Sequence, residues 1–242
     1  MYTNLLAMQK HSFSIFTVVL LLLAAFTSCN KSEETQEVYV DSYIHSYPNK
    51  TGVPVYTMMH TTYSFSQISS IGVTGTISPV SQLVPFSVDG MSFYNKPDSA
   101  AYTLTVPAAE TFTYNVIYDN GVIASRTNSV GTKSVAPVQQ LVTEKTATDI
   151  KLSWKAAANA EAYKVRIFSD DVTTNEKKLI YETNFLVPKD TTTDLSIPFS
   201  LISLSPYLST NLTFEVSAFI FEAEQDTYQS ISVVQTTGYF GI

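Results

Sequence analysis

Cysteine is nearly absent from this chain: 242 residues contain one, Cys29. A single thiol excludes an intrachain disulfide, so an exported form must be stabilised by its cores alone. Charge is scarce as well, at 14% of residues, where about 25% is usual. Basic residues are the scarcer sign, 14 against 21 acidic, for a net charge of −7. Removing Lys10 with an N-terminal signal would make the balance more negative still. That speaks against nucleic acid as a partner and against a basic membrane-surface patch. Downstream of Cys29 there are two histidines, His45 and His60, and nothing in their spacing joins them in a zinc site, which needs three or four converging ligands. No Gly-x-Ser-x-Gly elbow and no Gly-rich phosphate loop occurs. A glycosidase needs two converging carboxylates, and 21 acidic residues single out no pair. The acidic clusters Asp170-Asp171 and Glu222-Ala-Glu224-Gln-Asp226 lack the Gly-punctuated pattern of a calcium loop and read as solvated charge. We therefore assign no catalytic residue, no metal site and no cofactor, and the chain reads as non-enzymatic.

Helical periodicity is nearly missing too. Ala156–Ala162 and Phe199–Ser203 are the only candidate helical turns, and both sit between strand-like runs. What is present instead is Thr, Ser, Tyr, Val and Ile, residues that favour pleated, half-buried surfaces. Apolar content is 45%, enough for real cores. No repeat of 20–50 residues is apparent.

The N-terminus carries the longest apolar run. Lys10 and His11 supply a basic start, Phe13–Phe26 an apolar core, and Thr27 and Ser28 the small residues before Cys29. This is the layout of a cleaved secretory signal. A retained transmembrane helix would need about 20 apolar residues; this run is shorter and lacks a basic flank after it. The segment resembles a bacterial lipoprotein signal peptide, in the loose form familiar from the Bacteroidota, with Phe26 where the usual motif has Leu. The resemblance implies cleavage before Cys29 and lipidation of its thiol. Two or three acyl chains would anchor the protein permanently, where one binds only reversibly. Lys31-Ser32-Glu33-Glu34 resembles the acidic export signal of outer-membrane lipoproteins that face the cell exterior. Residues 1–28 are thus expected to be signal and 29–36 a polar tether.

The remainder suits two domains of about 100 residues each. From residue 134 to 242, alternating runs recur at the spacing of an antiparallel sandwich: Val138–Val142, Ile150–Trp154, Tyr163–Ile167, Leu179–Thr183, Asp194–Ile197, Leu212–Ala218 and Tyr228–Val234. Ile150-Lys-Leu-Ser-Trp154, then Ala160-Glu-Ala-Tyr163-Lys-Val-Arg-Ile167, then Leu212-Thr-Phe-Glu-Val216-Ser-Ala218 resemble a fibronectin type III domain. That resemblance implies a β-sandwich with Trp154 in its core. Leu212 stands where the family has a corner tyrosine.

Residues 37–133 read as a second, immunoglobulin-like sandwich. Strands are expected at Glu37–Ile44, Tyr63–Ile68, Tyr102–Val106, Thr111–Tyr118 and Val122–Ser125, with an Asn120-Gly121 hairpin between the last two. Prolines punctuate the runs as they do at strand ends. Gly131–Pro137 reads as the linker, with the domains end to end. The fold class is therefore all-β, two tandem sandwiches after a lipoprotein signal peptide. Tyrosines concentrate in this half, and Tyr43, Tyr47, Tyr56, Tyr63 and Tyr94 are the candidate ligand-binding platform. Three functions remain open: an outer-membrane surface lipoprotein that binds glycan or protein, an assembly subunit of a fimbrial or nutrient-uptake complex, and, least favoured, a polysaccharide hydrolase.

Overall fold

The computed structural model describes residues 36–77, 81–95, 97–171, 174, 176–189, 192–202, 208–223 and 227–239. Cys29 and the signal segment lie outside them. From Val38 to Ile242 the chain forms one compact unit, and its described residues are strands and turns with two short 3-10 turns.

In the C-terminal half, β9 (Gln139–Lys145), β10 (Asp149–Lys155) and β13 (Thr192–Pro198) form a three-stranded sheet. It faces β11 (Ala162–Asp171), β12 (Lys177–Glu182), β14 (Leu208–Phe221) and β15 (Tyr228–Tyr239), in the order β12-β11-β14-β15. Every run expected there lies on one of these strands, and this three-on-four arrangement is a fibronectin type III-like sandwich. Alternation places Ile150, Leu152 and Trp154 on one side of β10, against Val165 and Ile167 of β11 and Phe214, Val216 and Ala218 of β14. Each buried Val, Leu, Ile or Phe side chain among them contributes roughly 1.5–3 kcal/mol. Trp154 is 1% exposed and meets Tyr163 edge-on at 5.5 Å. Leu212 takes the corner position as a fully buried apolar residue, while the Tyr163 hydroxyl accepts the Ala157 N–H at 2.8 Å.

In the N-terminal half, β1 (Val38–Pro48), β2 (Pro54–Ser64), β5 (Val84–Pro85) and β6 (Ser92–Tyr94) run in the order β1-β2-β6-β5. They pack on β3 (Ile68–Gly75), β4 (Ser81–Gln82), β7 (Glu110–Tyr118) and β8 (Ile123–Val130), ordered β4-β3-β7-β8. Its core gathers Ile44, Phe93, Ile71, Val73, Phe112, Tyr114, Val116 and Tyr118. The Asn120-Gly121 hairpin joins β7 to β8, with Gly121 at φ 81°.

Two expected strands are corrected. Tyr63–Ile68 is not one strand: Tyr63 and Ser64 end β2, Phe65–Gln67 turn the chain between sheets, and Ile68 begins β3. Tyr102–Val106 makes a single bridge, Thr103 to Tyr56, and no ladder. Conversely β2 escaped the sequence reading, since Thr57, Thr61 and Thr62 break its apolar alternation.

The two sandwiches share a sheet. β15 pairs in parallel with β1, Ile44 opposite Ser230 and Ser46 opposite Ser232, so eight strands run continuously as β12-β11-β14-β15-β1-β2-β6-β5. Buried serines make this close approach possible. Ser46 Oγ donates to the Val135 carbonyl at 2.8 Å, and Ser230 Oγ donates to that of Ile44 at 3.0 Å and accepts the Val135 N–H at 3.1 Å. Gly131–Pro137, expected as a linker, is thereby packed into the seam, with Val135 fully buried.

Candidate functional site

The inner side of the shared sheet is committed to the cores; its outer side is covered at Val55 and Thr57 of β2 and at Thr213, Glu215, Ser217 and Phe219 of β14, and carries exposed rings over β1 and β2. Register puts Tyr39, Asp41, Tyr43, His45 and Tyr47 of β1 on the outer side, opposite Tyr63, Thr61, Met59, Thr57 and Val55 of β2. Tyr94 of β6 is opposite Thr61. Between these strands lies a groove of about 460 Å³, lined chiefly by Tyr39, Asp41, Tyr43, Tyr63, Phe86 and Tyr94. Tyr39 is 55%, Tyr63 42% and Phe86 74% exposed. The rings support one another edge-on: Tyr39 and Tyr63 both contact Phe65, at 6.3 and 5.1 Å, and Phe86 meets Tyr94 at 5.4 Å.

Three of the five candidate tyrosines, Tyr43, Tyr63 and Tyr94, thus converge. Tyr47 shares the face but lies farther along β1, in a separate cluster with Tyr102 (4.5 Å) and His45. Tyr56 turns to the other side and packs against the N-terminal core. It is seven residues from Tyr63 on one strand, and an odd separation puts two side chains on opposite faces. The groove also contains Tyr39, Asp41 and Phe86, which sequence reasoning missed. The even spacing of Tyr39, Tyr43 and Tyr47 was the available signal for Tyr39; no local signal marks Phe86.

Asp41 is the polar centre of the groove. Its Oδ2 accepts the Tyr228 N–H at 3.3 Å, and its Oδ1 is buried without a hydrogen-bond partner among the described residues. Burial raises its pKa to about 6, with the Tyr228 N–H pulling it down and the charge of Glu222 pushing it up. Burial, and then the charge of Asp41, holds the Tyr43 hydroxyl well above its ordinary value. Below the groove, a buried network fixes β1. The Tyr114 hydroxyl donates to the Asp41 carbonyl at 2.7 Å and lies 2.6 Å from Ser42 Oγ, which is 2.9 Å from His60 Nδ1. Asn128 Oδ1 accepts the Ser42 N–H. Burial lowers the His60 pKa to about 4, so its imidazole is neutral at pH 7.

His45 and His60 point to opposite faces of the sheet, because Ser42, not His45, is the register partner of His60. Asp170 pairs with Lys177 at 3.6 Å, and Glu222 Oε2 accepts from Thr227 Oγ1 at 2.6 Å; residues 224–226 lie outside the described residues. Among the described residues no group of three or more His, Cys, Asp or Glu side chains gathers as a metal site would require. Chemically, the groove offers ring faces for stacking over a largely buried carboxyl group, that of Asp41.

No protein-family model matches the chain, and no curated protein matches it. Among solved structures, a two-domain fibronectin type III segment of chicken tenascin aligns at 12% identity and a TM-score of 0.27, over 84% of this chain and 97% of that one. The chicken interferon gamma receptor alpha chain aligns at 8% identity and 0.29, over 83% and 97%. A candidate carbohydrate-binding protein from Bacteroides uniformis aligns at 14% identity and 0.30, over 81% and 99%. These superpositions are loose, and the sandwich assignment stands on the strand order itself.

Proposed function

We propose that this protein is a non-enzymatic, lipid-anchored surface protein that binds glycan in the groove on the outer face of its shared sheet. The observation that carries the reading is the convergence of Tyr39, Tyr43, Tyr63, Phe86 and Tyr94 around the carboxyl group of Asp41, one oxygen of which is buried with no hydrogen-bond partner among the described residues. Sugar rings present apolar C–H faces and hydroxyl donors together. Ring faces beside a buried acceptor complement both, and a buried acceptor left unmet costs about 1–3 kcal/mol. Acylation of Cys29 would hold the protein at the outer membrane, facing outward. Glycan-array binding by the purified protein, reduced about tenfold or more in Tyr63→Ala as for a buried aromatic anchor, is the expected result. An array on which the protein binds nothing, or on which Tyr63→Ala binds unchanged, would overturn the reading.

One observation favours the assembly-subunit alternative. β8 is an edge strand among the described residues, and Ile123 at its start is 71% exposed, so a partner strand has somewhere to pair. A stoichiometric partner recovered from native membranes and lost in Ile123→Lys would favour that role.

A further inference from the structure

The aromatic groove does not end at β1. On the outer face, Tyr43 meets Tyr228 of β15 at 6.3 Å, and Tyr228 meets Phe221 and Phe219 of β14 at 5.8 and 5.3 Å. Phe185 then packs on Phe219 at 5.2 Å and Phe221 at 5.4 Å. Rings therefore run from the C-terminal half, through Tyr43, into the groove of the N-terminal half. From Phe221 on β14 to Tyr94 on β6 the track crosses β15, β1 and β2. With neighbouring strands about 4.8 Å apart, that is roughly 19 Å, long enough for several consecutive sugar rings and too long for one.

The charges on this face restrict what can lie there. Its cations are occupied among the described residues: Lys164 by Glu182 at 3.1 Å and by the face of Phe185 at 4.9 Å, Arg166 by Glu182 at 2.6 Å and Glu215 at 3.4 Å, and Lys177 by Asp170 at 3.6 Å and Thr213 at 2.8 Å. Asp41 lies midway along the track and Glu222 beside Phe221 at its end, and Oδ1 of the first and Oε1 of the second are buried with no hydrogen-bond partner among the described residues. Two carboxyl groups beside cations that are already paired leave nothing for a ligand's anionic groups to gain.

Building on the glycan reading above, we infer that the site takes an extended, uncharged oligosaccharide lying across the strands. Phe221 and Tyr228 form a second stacking station supplied by the other sandwich. This composite site exists only because β1 pairs with β15; two sandwiches joined end to end would separate the stations.

The test is calorimetric titration of the full-length protein with neutral oligosaccharide series from cellulose, laminarin, starch, mannan and xylan, each from the disaccharide upward, with polygalacturonate as the charged comparison. In the series that binds, affinity should climb with length and level off once the track is filled, and polygalacturonate should not bind. Tyr63→Ala should weaken every member. Phe221→Ala should weaken only the longer members, by roughly threefold to tenfold, as expected for one aromatic stacking contact. Phe185→Ala, at a 44% exposed position where folding is not at stake, should do so to a lesser degree. Disaccharides that bind as tightly as long chains, long chains indifferent to both phenylalanine variants, or preferred binding of polygalacturonate would overturn the extended site while leaving glycan binding intact. No binding by any series would overturn both.

Discussion

Asp41→Asn tests the electrostatics of the groove directly. The Asp41 carboxyl titrates near 6 in the fold against an ordinary 3.8. Burial is the main cause; the Tyr228 N–H opposes it and Glu222 reinforces it. A folded-state pKa above the unfolded one means that the fold favours the neutral acid. That stabilisation is fully present below the unfolded value and is lost as pH rises through about 6. The gap between the two values corresponds to about 3 kcal/mol. Asparagine keeps the shape of the neutral acid, can still accept the Tyr228 N–H, and cannot ionise. Urea unfolding of both proteins should therefore show near-equal stability at about pH 4 and a variant more stable by up to about 3 kcal/mol at pH 7, with the divergence confined to the window between. Subtraction removes the His60 contribution, which is common to both. The same variant should bind a neutral oligosaccharide less tightly, so that stability and binding move in opposite directions. A stability difference that stays constant from about pH 4 to 8 would refute the reasoning, because it would mean that Asp41 is charged in the fold at no penalty.

Trp154→Ala should cost about 3–5 kcal/mol in chemical unfolding, since the indole is fully buried between sheets and the vacated space cannot collapse; a loss under about 1 kcal/mol would put the tryptophan outside the working core. Cys29→Ala should move the protein from the membrane to the soluble fraction with its circular dichroism unchanged, and continued membrane association would refute the acyl anchor.

Much of the fold was legible because alternation is a local property. Ile150-Lys-Leu-Ser-Trp154 and Leu212-Thr-Phe-Glu-Val-Ser-Ala218 announce both a strand and the face it buries. The failures share a cause. β2 places three threonines and a histidine among its 11 residues, on both its inner and outer sides, so its pattern is weak, yet neighbours on both sides hold it as a strand. Tyr102–Val106 alternates well but has no partner strand beyond Tyr56, so no ladder forms. The candidate tyrosines were legible as residues and not as a set. Parity along a strand separates Tyr56 from Tyr63 and joins Tyr39 to Tyr43, but only the pairing of β1 with β2 puts Tyr63 beside Tyr39.

The seam shows where local information stops. Backbone N–H and C=O groups are the same at every residue, so nothing in the side chains of β1 names β15 as its parallel partner. Ser46, Ser230 and Ser232 look in sequence like solvent-facing positions, and they are buried because the two sandwiches close on them. By itself the sequence determined an all-β chain, the faces of its individual strands and the tryptophan of one core. The tertiary structure alone decided that two sandwiches share one sheet, that Gly131–Pro137 is packed rather than free, and that rings from both halves meet around Asp41. Those outcomes depend on which strand edges pair, and pairing is settled by the burial of whole surfaces rather than by any short run of residues.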